Sequence, residues 1–262
     1  MILDTLAQCS KERTDRKKAA VSLEEMKKRA LALPCDTDFP FETALYKEGI
    51  SYICEVKKAS PSKGIIAEDF PYLTIAKEYE QAGAGAISVL TEPEYFLGSD
   101  RYLEEIAKSV SIPVLRKDFT VDEYQIYEAK TLGASAVLLI CSLLDEQTLR
   151  YYLQICGTLG LSALVEAHTA EEINTAVKAG ARIIGVNNRN LKTFEVDVNN
   201  CARLKSLVPD DVLFVAESGV KTPEDIDSLR KTGADAVLIG ETLMKSADKK
   251  AALESLNGGA LS

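Results

Sequence analysis

The chain has 262 residues, 46% of them hydrophobic, and its 31 basic and 40 acidic side chains leave a net charge of −9. That balance speaks against nucleic acid or an anionic membrane surface as the main partner, and no window approaches the roughly 18 apolar residues of a membrane span. The six cysteines form no C-x-x-C pair and His168 is the only histidine, which argues against a zinc cluster or a disulfide scaffold and fits reduced thiols in a cytoplasm.

Residues 1–51 read as helices. The first twenty lack the apolar stretch of a signal peptide and carry Asp4, Glu12 and Asp15. "SKERTDRKK" (10–18) is expected to be a solvated helical face. "SLEEMKKRALAL" (22–33) spaces Leu23, Met26, Ala30 and Leu33 for one helix face, and Pro34 ends it. Two placements fit this extension: a plug over one end of the fold, or a lid beside a substrate. Spacing alone does not choose between them.

Eight continuous apolar runs follow: 52–56, 86–90, 112–115, 136–141, 161–165, 182–186, 212–216 and 236–239. Continuous rather than alternating runs are what strands buried on both faces show. Helical stretches separate them. "HTAEEINTAVKAGA" places Thr169 as N-cap, Glu172 at the third helical position as a capping box, and Gly180 at the exit. "KTPEDIDSLRKTGA" places Thr222 as cap, Pro223 at the first helical position and Gly233 at the end. Strands alternating with helices predict parallel pairing.

A weaker repeat, "AGAGAISVL", "LGASAVLLI", "AGARIIGV" and "TGADAVLIG", recurs about every 50 residues, where a helix hands over to an even-numbered strand. Two βα units repeated four times predict an α/β fold of the (β/α)8 TIM barrel type, one domain over 1–262 with 1–51 as its helical extension. An open doubly wound sheet is the alternative, and no G-x-G-x-x-G follows the first strand to support it.

In such a barrel the chemistry belongs at the C-terminal strand ends. The odd strands end in Glu55 and Lys57, in "RKD" (116–118) with Lys117, in Glu166 and in Glu217; the even strands end in Glu92, Cys141-Ser142, "NNRN" (187–190) and "GET" (240–242). Alternate strands fill one layer, so two lysines and three glutamates are expected at a common depth. An acid and a base in one dry pocket can have their pKa values moved toward neutrality. "ESGV" (217–220) and "GETL" (240–243) follow strands seven and eight, the recurrent phosphate position of the fold, where backbone N–H groups at Gly219 and at Gly240-Glu241 can cradle an anion. Ser60, in the first βα loop "SPSKG", is placed near the same phosphate. His168 is assigned a capping or surface role, and Cys141 a packing role.

The strand-end phrases "EVKKASPSKG", "LTEPEYFLGS", "VLRKDF", "LVEAH", "IIGVNNRNL", "AESGV" and "LIGETLM" together resemble indole-3-glycerol phosphate synthase, a family of the tryptophan pathway. The resemblance covers nearly the whole chain. It implies a helical extension over the active-site side and a cofactor-free, metal-free conversion of 1-(o-carboxyphenylamino)-1-deoxyribulose 5-phosphate to indole-3-glycerol phosphate. By resemblance, Lys117 matches the general acid, Glu166 the general base, and Lys57 a substrate-contacting lysine tied to dehydration. Glu55, Asn187, Arg189, Glu217 and Ser218 match orienting residues, Gly219 and Gly240 phosphate positions, and Phe96 and Phe119 apolar walls near the aromatic ring. Some members carry Ser where this chain has Glu241, which leaves backbone N–H groups to hold phosphate there. The expected partner is a small phosphorylated substrate, steered by the lysines at the mouth, and the expected state is a monomer with an oligomer left open. Two rivals stand beside this reading: a lyase using a Schiff-base lysine, and a non-catalytic barrel that binds phosphometabolites.

Overall fold

A computed structural model describes residues 2–189, 197 and 199–258. Eight parallel strands close into a barrel. They are β1 (Ser51–Val56), β2 (Ala86–Leu90), β3 (Val114–Lys117), β4 (Ala136–Ile140), β5 (Ser162–Ala167), β6 (Ile183–Asn187), β7 (Leu213–Glu217) and β8 (Ala236–Ile239). Closure is made by β1, which pairs with β2 (Ile53 beside Ala86) on one side and with β8 (Tyr52 beside Val237) on the other. All six residues of β1 are buried, because one face looks into the barrel and the other under the helices.

The strands differ from the apolar runs mainly at their ends. Lys117, Glu166, Asn187 and Glu217, read from the sequence as strand ends that follow the apolar runs, lie within the strands at those ends. Hydropathy stops where the side chains turn polar, but the ladder continues, as where Asn187 pairs with Glu217. The third strand starts at Val114 rather than Ile112, with Pro113 still outside the strand and lacking an N–H to donate.

Helices α4 (Tyr72–Gln81), α5 (Asp100–Ala107), α6 (Glu123–Thr131), α7 (Glu146–Leu159), α8 (Ala170–Ala179), α9 (Asn199–Leu204) and α10 (Pro223–Thr232) connect the strands, and α11 (Glu241–Met244) and α12 (Lys249–Leu256) follow β8. Thr222 and Asp225 cap α10 reciprocally, with Pro223 in its first turn. Thr169 caps α8, accepting from the Glu172 N–H at 3.2 Å. The box expected there is not closed, since the Glu172 carboxylate accepts instead from the N–H of His168, one residue earlier, at 2.6 Å. No helix among the described residues is long and apolar enough to cross a membrane.

The extension does both things the sequence left open. Helix α1 (Ile2–Ala20) lies over the mouth, α2 (Leu23–Leu31) packs on α6, and α3 (Pro40–Leu45) closes the opposite end. Phe41 and Leu45 of α3 are fully buried against the barrel interior, with Ile53, Ala86 and Ile183 in the same cluster. The Ser51 hydroxyl, at the start of β1, donates to the Ala44 carbonyl at 3.1 Å.

The expected solvated face at 10–18 is corrected. Ser10 and Thr14 are buried, and Arg13, Lys17 and Lys18 dock on the barrel, while Lys11, Glu12, Asp15 and Arg16 keep the solvated side of the helix. Arg13 binds Asp118 at 2.6 Å, Lys17 binds Glu128 at 2.7 Å and also Asp100, and Lys18 binds Asp122 at 2.5 Å. The Ser10 hydroxyl donates to the Phe119 carbonyl at 2.6 Å. The carboxylates that draw this face inward come from α5, α6 and the segment after β3.

Candidate active site

A cavity of about 520 Å³ opens at the C-terminal end of the strands. Glu55, Lys57, Lys117, Glu166 and Glu217 all line it, so the five odd-strand charges do share one mouth. Glu55, Glu166 and Glu217 are 4%, 2% and 1% exposed, which removes most of the water that would otherwise screen them.

Lys117 is the hub. Its Nζ donates to Glu166 Oε2 at 3.2 Å and to Glu217 Oε2 at 3.1 Å. Burial pushes the ammonium down, but Glu217, Glu166 and Glu55 outweigh it and hold Lys117 charged well above its ordinary range. On β1, the Lys57 ammonium donates to Glu55 Oε1.

The two carboxyls beside Lys117 are driven apart. Burial raises Glu166, yet Lys117 and His168 pull it further down, with help from the Asn187 amide, so it stays ionised. Burial also raises Glu217; Lys117 opposes this, Glu166 and Glu55 reinforce it, and the net is about 7. Among the described residues Glu217 Oε1 is buried with no hydrogen-bond partner. Two titratable groups separated in this way supply a base and a proton reservoir in one site.

Small residues make room for these carboxylates. A Cβ on Gly185 of β6 would stand 2.2 Å from Glu217 Oε1. One on Gly240 would stand 2.4 Å from Glu55 Oε1 and 3.0 Å from Lys57 Nζ. Gly185 was not singled out from the sequence, although a glycine inside a strand signals a close approach.

The residues expected to orient the substrate or the catalytic groups lie around the hub. Asn187 Nδ2 donates to Glu166 Oε1 at 3.2 Å, while Asn187 Oδ1 accepts from the Arg189 N–H at 2.9 Å. Ser218 adopts φ 67° and Gly219 φ 90°. A serine held in the left-handed region is costly unless its surroundings impose it, and here Asn188 Nδ2 donates to the Ser218 carbonyl at 3.1 Å. Arg189, Ser218, Gly219, Gly240 and Ser60 line the cavity, and Ser60 sits in a two-residue ribbon (Ala59–Ser60 with Gly64–Ile65) at its rim. Glu241 also lines it, but its carboxylate turns to Lys245 at 2.7 Å and Lys63 at 3.6 Å. Asn190, the last residue of "NNRN", lies outside the described residues.

The other wall is apolar. Phe96 and Phe119 meet with ring centroids 6.1 Å apart and line the cavity with Leu138 and Ile140 of β4. Ile2, Leu3 and Leu6 of α1 complete this wall, which the sequence reading did not resolve to residues. Glu92 was placed among the strand-end charges. It is fully buried, and its carboxylate accepts from the N–H groups of Glu94, Tyr95 and Phe96 at 2.8–2.9 Å, so it shapes the loop that carries Phe96. Cys141 packs as expected, its thiol pushed up to about 12 by burial. His168 is not on the surface: it lies between Glu166 and Glu172.

The cavity size suits a drug-sized metabolite, and its two halves suit one with an aromatic end and an anionic end. A Schiff-base lysine needs a neutral amine, and the carboxylates around Lys117 oppose that state.

Residues 3–256 match the family model described as indole-3-glycerol phosphate synthase. A protein of that name from Ruminiclostridium cellulolyticum is 59% identical over 99% of this chain and 100% of its own length. Another of that name, from Endomicrobium trichonymphae, is 57% identical over 94% of this chain and 95% of its own. Among solved structures, a 3-hexulose-6-phosphate synthase superposes with TM-score 0.65 at 18% identity, covering 80% of this chain and 99% of its own, which speaks to the barrel alone. With a family model spanning the barrel and relatives matched end to end, this chain belongs to the indole-3-glycerol phosphate synthase family.

Proposed function

We propose that the mouth converts 1-(o-carboxyphenylamino)-1-deoxyribulose 5-phosphate to indole-3-glycerol phosphate, carbon dioxide and water. The observation that carries the assignment of roles is Lys117, charged and wedged between one ionised and one protonatable carboxyl. The aromatic ring lies against Phe96, Phe119 and the leucines of α1. The phosphate lies toward Gly219, Gly240, Ser60 and Arg189. Holding both ends folds the chain so that the ring carbon faces the sugar carbonyl.

As that carbon attacks, the carbonyl oxygen becomes an alkoxide, basic enough to take a proton from an ammonium, and Lys117 donates it. Glu166 and Glu217 secure the charge before the step. Loss of carbon dioxide then restores the aromatic ring. In dehydration Lys57 protonates the departing hydroxyl and Glu166 removes the proton that completes the indole. Glu55 orients Lys57, Asn187 orients Glu166, and Glu217 returns a proton to Lys117. The backbone at Gly240-Glu241 meets the phosphate, with the Glu241 side chain turned to Lys245.

We read residues 1–262 as one domain, with 1–51 as its extension. We place it in the cytoplasm as a monomer that works on a diffusing phosphorylated metabolite without metal, cofactor, nucleic acid or membrane. Light scattering giving the mass of one 28.5 kDa chain checks the monomer. Purified protein with a chelator present should generate indole fluorescence from the substrate; micromolar protein yielding no product contradicts the proposal.

A further inference from the structure

His168 is a largely buried titratable side chain beside the hub that the scheme above leaves without a task. It follows β5, two residues after Glu166, so both side chains leave the same side of the chain. Its Nε2 stands 3.3 Å from Glu166 Oε1, and its Nδ1 stands 3.4 Å from Glu172 Oε2. Neither contact closes as a hydrogen bond, and among the described residues both nitrogens are buried without another partner. Glu172 is itself fixed: it accepts from the Ser142 hydroxyl at 2.6 Å and from the His168 N–H at 2.6 Å.

A neutral imidazole has a single N–H, so one ring nitrogen would point its lone pair at a carboxylate. Only the imidazolium presents an N–H on each side. We propose that His168 is a positioning residue, a buried imidazolium that fixes the orientation and charge of Glu166 through a chain running from Ser142 and Glu172. The ring does not line the cavity, so it acts through Glu166 and not on the substrate. The proposal rests on the role given to Glu166 above.

The groups that face this histidine agree on its charge. Glu166 comes from β5 and Glu172 from α8; Cys141, in the turn after β4, is a neutral thiol. Lys117, Glu217 and Asn187 reach it only through Glu166. Burial lowers the imidazole, but Glu166 and Glu172 raise it to about 10. Once Lys117 has given its proton to the substrate oxygen, as proposed above, His168 is the cation that remains beside Glu166.

The sign follows. Removing the imidazolium raises the Glu166 pKa, so the acid limb of kcat moves to higher pH. An opposite charge at this range is worth on the order of one pH unit. His168→Gln keeps a donor and loses the charge. It should shift the acid limb of kcat upward by about one unit, roughly a tenfold loss at a pH on that limb. KM should stay within about twofold, because uniform binding is untouched. Merely loosened packing would lower kcat evenly across pH.

The chain has one histidine, so protein labelled with 13C,15N-histidine gives one imidazole signal set in the full chain. That signal should remain imidazolium through pH 8, and Glu166→Gln and Glu172→Gln should each lower its titration point, since coupling is reciprocal. An imidazole that titrates near 6.5 in the wild type overturns the proposal, as does an acid limb that stays put in His168→Gln. If that variant does not fold, Glu172→Gln decides the matter, with a smaller upward shift expected and none contradicting. Absence of synthase turnover in the wild type would instead defeat the assigned reaction, and the histidine titration would still report on the charge.

Discussion

Arg116 and Lys117 are neighbours on β3, the first buried and the second partly open to the cavity, and each faces three carboxylates. They do opposite work. Arg116 points out under the helices, where Asp100 and Glu128 each accept from it at 2.9 Å and the Gln125 carbonyl accepts at 2.9 Å, with Asp118 3.6 Å away. Arg13 and Lys17 of α1 share those carboxylates, so charge is balanced and hydrogen bonds are filled. Lys117 points into the mouth, where among the described residues Glu217 keeps an unpartnered oxygen, and burial pushes this carboxyl up to about 7. Burying a charge is common to both sites. What separates a clamp from a chemical site is whether the donors and acceptors are all used.

The largest effect should break this comparison cleanly. Lys117→Met should lower kcat by about 10³-fold, within the range for a lost general acid, while melting close to the wild type because Glu217 can take up a proton. Arg116→Met should do the reverse. It leaves Asp100, Asp118 and Glu128 buried beside too few cations, and removing one partner of a buried pair costs about 3–5 kcal/mol. Paired kinetics and denaturant titrations check this; an unfolded Lys117 variant beside a stable Arg116 variant would contradict it.

Gly185→Ala comes next. The added Cβ would stand 2.2 Å from Glu217 Oε1, so the carboxylate must move. A shift of that order should lower kcat by about 10²-fold, with far-ultraviolet dichroism unchanged.

The pH dependence of stability sharpens the view of Glu217. Its folded pKa, about 7, lies above its ordinary value of 4.5, so the folded chain binds that proton more tightly. The associated stability is fully present below about 4.5 and is lost as pH rises through about 7. Calorimetry should therefore show Glu217→Gln gaining on the wild type in melting temperature between pH 5 and pH 8. The smallest effect belongs to the outer clamp: Arg13→Ala frees α1 from Asp118 and should raise KM by roughly tenfold at most, about 1.4 kcal/mol, with kcat nearly unchanged in steady-state assays.

The eight strands were legible because strands buried on both faces read as unbroken apolar runs. Their polar ends were legible too, as charges and amides directly following those runs, although hydropathy stops at Lys117, Glu166, Asn187 and Glu217 while the ladder still continues. The mouth was readable as a set of charges because alternate strands share a layer, but the split between Glu166 and Glu217 depends on unlike neighbours, His168 and Asn187 on one side and an empty oxygen on the other. The clamp of α1 was hidden because its anions lie far along the chain, Asp118 being 105 residues from Arg13. His168 did carry a signal: two residues after Glu166 it had to share that side of the chain, while its place in a loop pointed to a capping or surface role.

The central claim is that just below neutral pH one charged lysine sits between one ionised and one protonated carboxyl. Infrared spectra of protein labelled with 13C-glutamate test it directly. A buried carboxylic acid C=O band should be present at pH 6, fade as pH rises through about 7, and be missing from Glu217→Gln. No such band at pH 6, or one that persists in Glu217→Gln, would contradict the account.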